Sequence, residues 1–171
     1  MSAVAECVRP WVPLIRLEAP RWNLKPNLVA AVVAQESSGN PWAQRPEPSF
    51  YQRYKAGILA LVKRTAFKAD DYWARYPDIF SSSYGLMQVL LTVAIEHGFT
   101  FEFPTELCDP PRNLAIGCKV LRSKINAASG NLRDGLLRWN GGSNKSYPDE
   151  VLAKLGEIND SGVFGAGDAF S

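Results

Sequence analysis

Residues 28–34 of this chain, "LVAAVVA", carry no polar side chain. A helix that is apolar all round has no face to give to water and belongs at the centre of a core. This run constrains the fold most, because the rest of the chain must supply the layers around it. Pro26 stands where such a helix begins, with φ fixed and no N–H to lose. The cluster Ser37-Ser38-Gly39-Asn40-Pro41 ends it, with Gly39 suited to the stop. The buried run therefore closes on Gln35 and Glu36, a carboxylate at the end of a core helix.

Helical spacing dominates elsewhere. Residues 11–18, 49–68, 70–76, 84–97, 112–128, 132–139 and 147–155 are predicted as helices; Tyr51, Tyr54, Ile58, Leu61 and Val62 carry the second of these. The one strand-like stretch is "FTFEFP", where Phe99, Phe101 and Phe103 alternate with polar residues and read as a single strand or an extended loop. A chain of 171 residues suffices for one domain with its own core. The expectation is a mainly α, compact domain over residues 1–158 with at most a minor β element. A mobile Gly-rich tail is expected over residues 159–171.

The formal net charge of +2 is too small to argue for nucleic acid. Cys7, Cys108 and Cys118 leave at least one thiol unpaired, and neither CxxC nor a Cys/His pattern for zinc is present. Cys118 shares a helix face with Leu114, Leu121 and Ile125, which makes it a buried thiol. A Cys108–Cys118 disulfide stays open, since sequence gives no distance. With no ligand cluster or phosphate loop, neither metal nor organic cofactor is expected. The first twenty residues lack a basic leader and are interrupted by Glu6, Arg9, Arg16 and Glu18, so no signal peptide is read there. No stretch approaches the length of a membrane span. If the substrate lies outside the cytoplasm, another route delivers the protein.

Burial near the end of its helix disfavours the charged form of Glu36 and raises its pKa. The negative end of the helix dipole pushes the same way. Such a carboxyl holds a proton near neutral pH, as a general acid must. The competing reading is that Glu36 simply emerges into solvent where the helix ends. Residue physics leaves both open.

The order of motifs decides between them. "AQESSGNPWA", then "SYGLMQV", then "DPPRNLAIGCKVL", then "LLRWNGG" with Tyr147 beyond, resembles the lytic transglycosylases of the lysozyme superfamily over roughly residues 26–155. In that family a catalytic glutamate is followed by serine and an Asn-Pro turn, then Gly-Leu-Met-Gln, a helix bearing an Asn, and an aromatic-Asn-Ala-Gly segment. Those positions here are Glu36 and Ser37, Gly85 to Gln88, Asn113, and Trp139 to Gly142. Trp139 stands where the family has tyrosine, and Gly141-Gly142 where it has Ala-Gly. Trp139 keeps a flat face for stacking on a sugar but lacks the phenol hydroxyl, which Tyr147 replaces if the acid needs it. "RPEPSFYQRY" resembles an Arg-x-Glu-Pro-x-Phe-Tyr element of phage-associated transglycosylases. Glu47 within it is either a group that contacts substrate or orients the acid, or a helix N-terminal glutamate favoured by the dipole.

The resemblance implies a lysozyme-like fold of the α+β kind and places Ser37, Glu47, Tyr84, Gln88, Trp139, Asn140 and Tyr147 at the substrate. Several of these have rival readings: core packing for Tyr84, a solvated surface for Gln88. Asn113 is read as a cap or a ligand, Met87 as core, Asp70, Asp71 and Asp78 as solvated, and His97 as a surface residue at a helix end. The implied reaction cleaves the β-1,4 bond between N-acetylmuramic acid and N-acetylglucosamine and leaves a 1,6-anhydro sugar, with Glu36 as the single essential carboxyl. Goose-type lysozymes share the fold and let water attack, so hydrolysis is one alternative; an inactive wall-binding or structural virion component is another. The implied partner is the glycan strand of peptidoglycan, with no nucleic acid and no stable membrane insertion. The implied place of action is the bacterial cell wall, reached from a virion or after membrane permeabilisation.

Overall fold

The structure, a computed structural model, describes residues 2–64 and 76–165. It begins with α1 (Ala3–Val8), a single 3-10 turn, and α2 (Val12–Arg21). The central helix α3 (Pro26–Ser37) follows, with Val29 to Val33 wholly buried. Pro26 is its first residue, after Lys25 in extended conformation. At its C-terminus Ser38 turns left-handed (φ 50°) and Gly39 follows at φ 75°. A Cβ on Gly39 would lie 2.0 Å from the Cys7 carbonyl oxygen, so only glycine lets the turn lie against α1. The Trp11 indole N–H donates to the Gly39 carbonyl at 2.9 Å and fixes the approach.

Three short antiparallel strands, β1 (Gln44–Pro46), β2 (Ser82–Tyr84) and β3 (Val89–Leu90), form one sheet in that order. Arg45 pairs with Ser83, and Ser83 in turn with Leu90. Between β1 and β2 lies α4 (Pro48–Arg64), broken by non-helical dihedrals at Tyr54. The chain then runs through α5 (Leu91–Glu96), α6 (Pro110–Ala127), α7 (Leu132–Trp139) and α8 (Tyr147–Ser161). Helices α2 and α8 pack against α3, while α6 packs against α2 and α7. The result is a mainly α fold with a minor sheet, and no helix among the described residues is long and apolar enough to cross a membrane.

Two expectations, for residues 84–90 and for Asn113, are corrected. Residues 84–90 are not the start of a helix: a β-hairpin occupies them and the helix begins only at Leu91. The hairpin turn needs left-handed backbone at Gly85 (φ 74°) and Gln88 (φ 48°). Asn113 holds it from α6, accepting from the Met87 N–H at 2.8 Å and donating to the carbonyls of Tyr84 at 2.9 Å and Leu107 at 2.8 Å. Each of those backbone groups, buried without a partner, would cost about 1–3 kcal/mol. Asn113 is thus neither cap nor ligand: Asp109 caps α6, accepting from the Arg112 N–H. Of the two readings open for the Phe99–Phe103 stretch, the structure takes the loop, and no strand forms there. The Glu106 carboxylate accepts the N–H groups of Glu102 and Phe103 at 2.8 and 2.7 Å, which a neighbouring strand would otherwise have taken.

The cysteines are all free, so the Cys108–Cys118 disulfide left open by the sequence is absent; Cys118 is a buried thiol, and burial pushes it up to about 12. At the C-terminal end α8 runs to Ser161, and Phe164 is buried beyond it. Residues 70–75 of the expected 70–76 helix, with Asp70 and Asp71, and the chain end from 166 lie outside the described residues. Met87 is fully buried and Asp78 is exposed, while His97, read as a surface residue, closes α5 half-buried.

Candidate active site

Helix α3 delivers Glu36 to the wall of an open cleft of about 400 Å³. The last turn of that helix is fixed from two sides. On one, the Ser37 hydroxyl donates to the Leu86 carbonyl at 2.8 Å, with the Val33 carbonyl at 3.2 Å, locking the helix end onto the hairpin turn. On the other, Gln35 donates to Glu150 of α8 at 2.7 Å. Glu150 also accepts from Ser146 at 2.7 Å and Asn144 at 3.1 Å, so one carboxylate ties the loop between α7 and α8 to the residue beside Glu36. Hydrogen bonds from Ser146 and then Asn144 hold the Glu150 carboxyl below its ordinary range.

That loop explains how Trp139, at the end of α7, and Tyr147, at the start of α8, reach the same atom. Gly141 and Gly142 both take positive φ (78° and 81°) and reverse the chain without strain. The Trp139 indole N–H then donates to Glu36 Oε1 at 2.8 Å, and the Tyr147 hydroxyl donates to the same oxygen at 2.6 Å. Asn140 lines the cleft and turns its Oδ1 back to the Asn144 N–H.

Burial is the largest influence on Glu36 and raises its pKa above the ordinary carboxyl range. The bonds from Tyr147 and Trp139 and the charge of Arg45 oppose it, and the charge of Glu47 reinforces it. Burial also lifts the Tyr147 phenol, as does the nearby Glu36 charge, so this hydroxyl remains a donor. With both donors on Oε1, the second oxygen is left to carry the proton.

Opposite lies β1. Arg45 and Glu47 are two residues apart in extended chain, so their side chains share a face, and both line the cleft. Arg45 Nε donates to Glu47 Oε1 at 2.7 Å. Gln88 forms part of the wall; its amide nitrogen donates to the Ala43 and Gly85 carbonyls at 2.9 and 3.0 Å, which leaves its oxygen as the open end.

The structure therefore brings Glu36, Glu47, Gln88, Trp139 and Asn140 to one cleft, with Tyr147 buried behind Glu36. Two expected substrate residues are elsewhere. Tyr84 is 1% exposed, with its hydroxyl donating to the Ile79 carbonyl and burial pushing its pKa up to about 12. Ser37 has its hydroxyl committed to backbone carbonyls and orients the helix end. Arg45, Phe50, Lys124, Arg138 and Glu150 were not singled out in the sequence. The first two belong to the "RPEPSFYQRY" element, which was a usable signal; the others carry none. Among the described residues no group of three or more His, Cys, Asp or Glu side chains is placed to hold a metal ion.

Comparison with known proteins adds to this geometry. A family model described as "Transglycosylase SLT domain" matches residues 13–150. A protein named "Transglycosylase" from Enterobacteria phage PRD1 is 28% identical over 153 residues, covering 85% of this chain and 43% of its own. The chain thus spans less than half the length of that relative. No solved structure matches.

Proposed function

This chain belongs to the transglycosylase SLT domain family, and from that premise we propose that it cuts the β-1,4 bond between N-acetylmuramic acid and N-acetylglucosamine in peptidoglycan, leaving a 1,6-anhydro end. The observation that carries the reading is the environment of Glu36: a carboxyl raised by burial, open to a cleft, with two neutral donors on one oxygen. That is the setting of a general acid, not of a solvated helix end.

The proton on Oε2 passes to the glycosidic oxygen as the C1–O bond breaks. The 2-acetamido carbonyl of the muramic acid stabilises the cationic C1, in place of the second carboxylate that most glycosidases supply. The Glu36 carboxylate, now held by Tyr147 and Trp139, accepts the proton of the C6 hydroxyl of the same sugar. Attack of O6 on C1 closes the anhydro ring and consumes no water. Tethering makes that hydroxyl effective against solvent. Trp139 offers its ring face to the sugar, and Gln88 its amide oxygen.

Hydrolysis would need a group to position water across the bond. Glu47 is the other carboxylate lining the cleft among the described residues, and Arg45 engages it, which supports ring closure. A phage role, in infection or lysis, is supported by the relative from phage PRD1 and by the "RPEPSFYQRY" element. Delivery to the wall would then come from a virion or follow membrane permeabilisation. Clearing of purified peptidoglycan by the wild type and by Glu36→Gln tests the reading. Turbidity should fall only with the wild type; an inactive wall-binding component would clear with neither, and equal clearing by both would exclude Glu36 as the acid.

A further inference from the structure

Lys124 and Arg138 line the same cleft as Glu36, and neither has an ion-pair partner among the described residues. Other cations at cavities are committed. Arg45 is held by Glu47 at 2.7 Å; in a second, shallower cavity of about 280 Å³, Arg112 is paired with Glu106 and Lys119 donates to the His97 carbonyl at 2.6 Å.

A close helix crossing joins the two helices that carry these cations. A Cβ on Gly135 of α7 would come within 2.7 Å of the Ile125 side chain of α6, so the helices touch at that point. Lys124 precedes Ile125, and Arg138 lies one turn beyond Gly135 and next to Trp139, which bonds Glu36. Val120, one turn before Lys124, lines the cleft as well, so this face of α6 is a wall of it. Both cations sit in the last turn of their helices, where the dipole favours them. The dipole does not explain why both face one cleft, nor why Lys124 is half-buried there without an anion. Partly desolvating an ammonium is unfavourable unless a ligand supplies the opposite charge.

We propose that Lys124 and Arg138 form an anion-receiving subsite for the free carboxylates of the peptide stems on the glycan strand. The inference rests on peptidoglycan being the substrate. The sugars offer only hydroxyls and neutral acetamides, and the lactyl group of a peptide-bearing muramic acid is an amide. The anions of such a strand are therefore on the stems. The subsite would make the enzyme prefer strands with charged stems, holding them beside the scissile bond and weakening with salt.

The test compares purified peptidoglycan with the same material after its carboxylates are amidated by carbodiimide and excess ammonia. The readout is the ratio of the two cleavage rates, which is insensitive to the fraction of enzyme folded. The wild type should prefer the charged wall by about fivefold, the size expected of two partly screened ion pairs. The Lys124→Gln/Arg138→Gln variant should bring the ratio near one. A wild-type ratio already near one, or a variant ratio equal to the wild type's, would overturn the subsite. If the wild type cut neither wall, the substrate reading itself would fall, and the subsite with it.

Discussion

The Tyr147 hydroxyl donates to Glu36 Oε1 at 2.6 Å from a position 111 residues further along the chain. With the Trp139 indole on the same oxygen, it defines which oxygen of the acid faces the cleft. Two neutral donors suit a group that alternates between acid and base. They strengthen when Glu36 loses its proton and do not hold the charge so tightly as a paired cation would.

Tyr147→Phe removes the largest of the influences that lower the Glu36 pKa, and burial is then less opposed. The protonated acid should persist to higher pH, moving the alkaline limb of the rate profile upward. Turnover should fall about tenfold or more, the size of one hydrogen bond to a carboxylate. A pH–rate profile checks both; a limb that stays in place or moves down would contradict the assignment of Tyr147.

Glu47→Gln should shift the same limb the other way. Its charge raises the Glu36 pKa while that of Arg45 lowers it, and losing Glu47 both removes the first and frees the second. The limb should move to lower pH, with a fall in rate at neutral pH of about a few-fold. Because the Glu47 side chain is 34% exposed, added salt should shrink the shift. An upward shift would show that Glu47 acts through something other than its charge.

Glu36→Gln should abolish cleavage and stabilise the fold. A carboxyl whose pKa is raised on folding contributes stability that is fully present below its unfolded pKa and is lost as pH rises through its folded one. Glutamine cannot ionise, yet its amide oxygen still accepts from Tyr147 and Trp139. The variant should melt above the wild type at pH 7–8, and the gap should close below about pH 4. Thermal melts across that range decide it; a variant that is less stable at neutral pH would mean Glu36 is not destabilised by its site.

What could be read from the sequence was what is local. Pro26, the apolar run after it and the Ser38–Gly39 stop mark α3 because helix punctuation acts within a few residues. Glu36 stood out because it ends that run. The Tyr84–Gln88 segment misled because a short apolar stretch reads alike as a buried helix or a buried hairpin. Its glycine, Gly85, was the one signal for a turn. The role of Asn113 was hidden, since its three partners belong to other elements of the fold. The indole bond from Trp139 was hidden too: the substitution was legible as the loss of a hydroxyl, not as a different donor reaching the same acid. Tyr84 and Ser37 sit next to cleft residues in sequence but turn inward, which adjacency alone does not reveal.

The central claim is that Glu36 acts as acid and then as base in a ring closure without water. Mass spectrometry of the muropeptides released from purified peptidoglycan tests it most directly. The account predicts muramic ends lighter by one water than hydrolytic products, and none with Glu36→Gln. Reducing ends from the wild type would contradict it, making the enzyme a hydrolase and requiring a group in this cleft that positions water.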